Sequence, residues 1–348
     1  MTRSLLLVSI FIFIFVVYML FRSGSLGRGE DEEEAANNIL LVEDSIEAGQ
    51  NSPKLSRSHE SYLLILPYEG LTNQLVGLIR GSLLAHRLGR TLLIPPLTRS
   101  QHECRECPRM ESWSEHLDLL PILGDDCEYL KTDGSGHELS RLVVFSFGRW
   151  RTWKQYGQST RHFLASLPQS NIVLRWRPFT SPLNWKVLVE YLSMRADKIL
   201  VVGQLQHVHF DSDSPMLEEI YRRLYVGLKI SPREHVGVHW RRGDFESACS
   251  KKNQTACWPD LTDLARRLGP FHDAPVWIAS DDCEAVSGLT RMMPKVTFLA
   301  STERCSKRYF DDLRALVGSV RMIGNQYSTL SRVSCRLRAA FGQPCEYF

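Results

Sequence analysis

Val236-Gly237-Val238-His239-Trp240-Arg241-Arg242-Gly243-Asp244-Phe245 decides how this chain is read. Val236, Val238 and Trp240 alternate as the buried side of a short strand, with His239 on its other side. The strand runs straight into two arginines, a glycine and an aspartate. Guanidinium groups at the C-terminal end of a strand, followed by a flexible turn, suit a phosphate, because a planar fork of N–H donors carries a fixed charge. In open α/β sheets ligands bind at that edge. An exposed basic turn has the same letters, so the flanking elements must decide.

Downstream the α/β rhythm continues. A helix is expected near 260–268, then a strand Val276 to Ser280 ending in Asp281-Asp282, then a strand Val296 to Leu299. A helix Tyr309 to Leu316 leads to a strand Val320 to Ile323, which ends in Gly324-Asn325-Gln326-Tyr327-Ser328-Thr329. The last helix spans about 328–341. A glycine turn opening a helix with two hydroxyl residues is an anion site through its dipole and free N–H groups. Taken alone, the same pair is read as helix capping.

Upstream, Tyr62 to Leu66 is a buried strand, Tyr68-Glu69-Gly70-Leu71-Thr72-Asn73-Gln74 a loop, and a helix capped by Thr72 or Asn73 runs to Leu88. Gly89 ends it, and Thr91 to Ile94 is the next strand, closed by Pro95-Pro96. Strand, glycine turn, helix, strand is a βαβ unit, so the sheet is expected to be parallel. The middle, from about Trp113 to Arg195, is irregular and Trp-rich, with strands at Leu142 to Phe147 and Ile172 to Trp176, and its aromatics read as core. Lys198 to Val202 is a further strand. Asp211-Ser212-Asp213 matches the Asp-x-Asp that holds a metal and a diphosphate in some glycosyltransferases. Ser214 as an N-cap, Pro215 at the first helical position and a helix Met216 to Leu228 explain that stretch better.

With 348 residues and 43% hydrophobic content the chain has room for about two domains. A net charge of +3 without a long basic run gives no support for nucleic acid as a partner. Leu5 to Phe21 is apolar but for Ser9 and Tyr18, near the lower length limit of a membrane span and long for a signal-peptide core. Length favours an uncleaved anchor, while Ser23-Gly24-Ser25 keeps cleavage open. An acidic, polar stem follows to about His59. Nine cysteines and the sequon Asn253-Gln254-Thr255 fit an oxidising lumen. His102, Cys104 and Cys107 give three zinc-type ligands without a fourth, so a disulfide, for example to Cys127, is preferred to a metal. Cys283 with Cys305 and Cys335 with Cys345 are further candidate pairs. The expectation is a single-pass type II protein of the ER or Golgi lumen: anchor 1–22, stem 23–60, an N-terminal Rossmann-like domain 61–228 and a C-terminal nucleotide-binding one 229–348.

Two α/β halves with loops at their C-terminal edges point to a ligand in the cleft between them. The second half brings Arg241, Arg242 and the Ser328-Thr329 helix start for phosphate; Asp281, Asp282 and Asp312 suit a base or ribose hydroxyls. The first half brings Glu69 and Asn73 opposite them. A diphosphate held without metal needs an arginine and helix dipoles to carry the leaving group's charge. A facing carboxylate can act on an acceptor hydroxyl.

These residues resemble a family. Gly70-x-x-Asn73-Gln74, Leu88-Gly89-Arg90-Thr91-Leu92 and Pro95-Pro96 look like the first-domain signature of the protein O-fucosyltransferases. His239-x-Arg241-Arg242-Gly243-Asp244-Phe245 looks like the motif of the wider O-fucosyltransferase superfamily, and Gly324-Asn325-x-x-Ser328-Thr329-Leu330-Ser331 like its third motif. Cys249 and Cys257-Trp258-Pro259-Asp260-Leu261 resemble a cysteine pair and Cys-x-Pro-Asp-Leu of the branch that fucosylates EGF-like repeats. The resemblance spans about Tyr62 to Phe341. It implies an inverting, metal-independent GT-B enzyme with GDP-fucose as donor and no cofactor. It implies Arg241 as stabiliser of the departing diphosphate, His239 as a nucleotide contact, Asp312 near the guanine, and Ser328, Thr329 and Leu330 at the β-phosphate. Asn73 falls beside the fucose and acceptor; Gly70 in the same loop, and Asp281 from its place at a strand end, are read as donor contacts. Glu69 matches the base of the branch that modifies thrombospondin repeats. The sequence thus mixes features of two branches, so the acceptor, Ser/Thr of a secretory protein or a glycan, is not carried over. A catalytically inactive lumenal protein of the same fold is the competing expectation.

Overall fold

The computed structural model describes residues 40–43, 61–68, 70–98, 110–131, 141–147, 158–167, 171–177, 185–203, 205, 214–242, 259–299 and 309–348. The chain divides into two compact units, 1–40 and 41–348, and the second holds the sheets from Leu41 onward. The apolar run expected to anchor the chain, Leu5 to Phe21, lies outside the described residues. Among those described, no helix is long and apolar enough to cross a membrane.

The first part of the chain builds β1 (Leu40–Glu43), β2 (Tyr62–Ile65), α1 (Leu71–Leu88), β3 (Thr91–Ile94), β4 (Leu97–Thr98), β5 (Met110–Glu111), α2 (Leu120–Leu123), β6 (Cys127–Tyr129), β7 (Arg141–Phe147), α3 (Gln158–Ser166), β8 (Asn171–Arg177), α4 (Trp185–Ser193), β9 (Ile199–Gly203) and α5 (Pro215–Gly227). Seven of these strands form one sheet in the order β1-β8-β7-β9-β2-β3-β6. The pairs β2–β3, β2–β9, β3–β6, β7–β8 and β7–β9 are all parallel. Continuous apolar runs such as Leu63-Leu64 and Leu92-Leu93, all fully buried, are what a sheet covered on both faces demands. β4 and β5 pair as a separate antiparallel hairpin. The middle is more regular than its sequence implied: α2, β6, α3 and α4 all fall there.

The second part builds β10 (Arg233–His239), α6 (Leu261–Leu268), β11 (Val276–Ala279), α7 (Cys283–Met292), α8 (Tyr309–Gly318), β12 (Ser319–Gly324), α9 (Thr329–Ala339) and β13 (Cys345–Tyr347). Its sheet runs β11-β10-β12-β13, parallel throughout. The strand expected at 296–299 is reduced to one bridge, Val276 with Phe298, flanked by the bonds Val276 N–H to Thr297 O (2.8 Å) and Leu299 N–H to Val276 O (2.9 Å). It hangs on the sheet's edge, and among the described residues it has no second neighbour to extend it.

Two buried arginines tie together the ends of strands and helices through backbone carbonyls. Arg90 donates to the carbonyls of Tyr62, Asp197 and Arg195, joining the starts of β2, β3 and β9. Arg338, fully buried in α9, donates to the carbonyls of Val317 (3.0 Å) and Pro344 (3.1 Å). One hydrophobic core runs without interruption from α1 (Leu71, Leu75) to α8 and α9 (Leu313, Leu316, Leu330, Val333), so the helices of the two sheets share their apolar faces. Arg314 extends the join by donating to Leu228 O and, at 3.3 Å, to His116 O.

Candidate functional site

The chain leaves β10 toward β11 on one side and comes back as β12 on the other. Loops after β10 and β12 therefore diverge, and such a switch point, at the C-terminal ends of the strands, is where open α/β sheets hold a ligand, with the two loops as walls. His239 ends β10 there, with Arg241 and Arg242 just beyond it. From the other wall come Gly324 and the start of α9. The two walls are joined where His239 Nδ1 meets Ser331 Oγ at 2.7 Å. Ser331 Oγ also accepts the Asn325 backbone N–H at 2.8 Å, and Asn325 Oδ1 accepts that of Tyr327 at 2.9 Å. A Cβ on Gly324 would come within 2.7 Å of Ser331 Oγ, so only glycine lets strand and helix approach this closely. Burial, and then the nearby Arg241, hold His239 down to about 3, so its imidazole is neutral at physiological pH.

Arg241 and Arg242 differ in their surroundings. The Arg242 guanidinium donates from Nε to Asp282 Oδ2 at 3.0 Å and lies over the Trp240 ring, 4.8 Å from its centroid. Its backbone N–H donates to Asp281 Oδ1 at 2.7 Å. Asp282 in turn caps α7 by accepting from the Ala285 N–H. Arg242 and Asp282 are thus bracing for the turn. Arg241 Nε stands 3.7 Å from Asp281 Oδ2, too long for a hydrogen bond, with its side chain 28% exposed. Asp281, just past the end of β11, thus holds the backbone of the turn through Arg242 and places a negative charge beside Arg241. Asp312, in the first turn of α8, accepts from Trp277 Nε1 at 3.0 Å.

The first sheet contributes the N-terminus of α1, which follows the C-terminal end of β2. Gly70, not Thr72 or Asn73, is the cap residue, and it has no side chain to bond with. Its carbonyl accepts from the N–H groups of Asn73 and Gln74. Asn73 is turned elsewhere: its Oδ1 accepts from Thr329 Oγ1 at 2.7 Å, across to α9. Gln74 is spent on β4, exchanging hydrogen bonds with Thr98. Ser328 occupies the cap position of α9, yet its side chain makes no capping bond, because Thr329 faces α1 and Asn325 and Ser331 hold the turn instead. Simple capping therefore fails as the account of Ser328-Thr329. Leu330 is buried in the shared core. Two helix N-termini, each a partial positive charge, meet at Asn73 and Thr329.

No family model and no curated protein sequence matches the chain. Solved structures do. POFUT1 in complex with GDP-fucose aligns with a TM-score of 0.60 at 14% identity, over 84% of this chain and 98% of that one. POFUT1 in complex with GDP gives 0.61 at 15% identity, over 84% and 99%. Its apo form gives 0.60 at 14% identity, again over 84% and 99%. This chain has the fold of POFUT1.

Several expected residues lie outside the described ones: Glu69, Asp211, Asp213, Gly243 to Phe245, Cys249, Asn253, Cys257, Cys305, and the group His102, Cys104 and Cys107. Cys335 and Cys345 form a disulfide, Cα to Cα 5.6 Å, as their spacing allowed. Cys283 is also disulfide-bonded. Cys127 is not paired with the upstream cysteines: it is a free, half-buried thiol on β6, and burial pushes it up to about 12. Two bracing contacts were missed from sequence, Ser331 on His239 and Trp277 on Asp312. The first had a signal in the three-residue spacing from Ser328, which puts Ser331 one turn into the helix. The second had none.

Proposed function

We propose that this chain is a GDP-fucose-dependent glycosyltransferase of GT-B architecture. It moves fucose with inversion, without a metal, onto a hydroxyl, most simply Ser or Thr of a secretory-pathway protein. One observation carries the reading: the neutral His239 at the end of β10, two residues before Arg241, is bonded to Ser331 in the first turn of α9, and Thr329 at the start of that helix is bonded to Asn73 of α1. The shared fold with a protein that binds GDP-fucose supports it.

In this reading the acceptor oxygen attacks the fucose anomeric carbon as the bond to the β-phosphate oxygen breaks. The proton of the acceptor passes to Glu69, and the electron pair stays on GDP. The Arg241 guanidinium and the first-turn N–H groups of α9 neutralise the charge that builds on the phosphate. Asp281 keeps Arg241 aimed. Asn73, tied to Thr329, sits where fucose and acceptor meet. The same reading has the enzyme in the ER or Golgi lumen, held by residues 5–21, with a glycan on Asn253 and a bridge between Cys249 and Cys257. The Cys335–Cys345 disulfide supports an oxidising compartment.

The test is a GDP-release assay with GDP-fucose against folded repeats, peptides and glycans. Wild-type protein is expected to turn over with at least one acceptor class. Arg241→Ala is expected to lose about a hundredfold or more in rate while melting normally. An undiminished rate in that variant, or in Glu69→Gln, contradicts the role given to that residue.

A further inference from the structure

We infer that Ser331 is a positioning residue: its hydroxyl fixes His239 as the Nε2–H tautomer, so that the end of β10 offers a neutral N–H donor to an acceptor atom of the bound nucleotide. The identity of the ligand rests on the function proposed above; the tautomer rests on hydrogen bonding alone.

Ser331 is fully buried. A hydroxyl has one proton to donate and two lone pairs. The Asn325 N–H, 2.8 Å away, occupies one lone pair. The proton needs an acceptor, since leaving a buried donor unpaired costs roughly 1–3 kcal/mol. Among the described residues His239 Nδ1, at 2.7 Å, is the one acceptor in hydrogen-bond reach of Oγ. The proton therefore points at Nδ1, which must carry its lone pair, and the ring hydrogen sits on Nε2. The opposite arrangement has Nδ1–H donating to Oγ; it fills both lone pairs and orphans the hydroxyl proton.

The ring cannot escape by taking a second proton. It is buried, and Arg241 lies two residues on. Nor can Ser331 drift away, because the glycine at 324 is packed on its Oγ and the Asn325 turn is fastened to it. Among the described residues His239 Nε2 has no hydrogen-bond partner. A neutral donor at that point suits a phosphate, hydroxyl or carbonyl oxygen. The other tautomer would turn a lone pair toward a diphosphate and repel it.

The experiment uses the full chain with nitrogen-15-labelled histidine. The His239 signals are assigned by their loss in His239→Gln. In ligand-free wild-type protein the nitrogen shifts are expected to report protonated Nε2 and bare Nδ1, a result read without any variant at Ser331. Ser331→Ala is expected to give a mixture of tautomers and to weaken GDP about tenfold by calorimetry, the loss of one good hydrogen bond. A protonated Nδ1 in the wild type overturns the inference. So does a Ser331→Ala protein that keeps both the Nε2–H tautomer and the wild-type GDP affinity. Wild-type protein with the expected tautomer but no heat on adding GDP contradicts the proposed ligand, and with it the nucleotide half of this inference, while upholding Ser331's hold on the ring.

Discussion

His239 is a side chain whose chemistry is set almost wholly by its surroundings. Solvent exclusion and a neighbouring guanidinium hold it near 3, down from its usual 6.5. His235, on the same strand, is lowered too, first by burial. Unfolding exposes both rings, which then bind protons that the folded protein refuses. The stability they contribute is present in full above about pH 6.5 and is lost as pH falls, for His239 down toward about 3. Urea melts between pH 7.5 and 5.5 are expected to show falling stability in the wild type and a flatter profile in His239→Gln. Equal slopes would mean that the ring is not buried neutral. Alternation along Val236 to Trp240 made His239 and Arg241 legible in sequence. It did not separate the duties of Arg241 and Arg242, because those follow from Asp281 and Asp282, which reach the turn from a different strand.

Among the elements, β10 is the one that the site depends on. Its Gly237 lies against α8: a Cβ there would meet Ser319 Oγ at 2.8 Å and the Leu316 backbone at 3.3 Å. Gly237→Ala is expected to cost about 1–3 kcal/mol, because backbone and a buried serine have little room to give. Thermal melts read this directly, and an unchanged midpoint would show that strand and helix are not so closely packed. The strands and long helices were legible because their apolar periods are strong. Their ends were not. α1 starts at a bare glycine because Asn73 is drawn across to Thr329, a contact between residues far apart in sequence. α7 was missed altogether. It buries only Val286 and Leu289, too weak a stripe to stand out, although Asp282 at its cap was visible as a residue type.

At the scale of the whole molecule, two parallel sheets were legible from strand, turn and helix recurring in both parts of the chain. Strand order was not, since β7, β8 and β9 come late in sequence yet sit on one flank of β2, while β3 and β6 sit on the other. The continuous core through α1, α8 and α9 was equally hidden, because each helix's apolar stripe is silent about its partner. That core packs α1 of the first part against α8 and α9 of the second, and the central claim concerns what binds at the end of β10 and the start of α9. A crystal structure with GDP tests it most directly. The phosphates are expected within hydrogen-bond distance of the Arg241 guanidinium and the first-turn N–H groups of α9. A nucleotide bound elsewhere on the protein, with both of those groups untouched, would contradict the account.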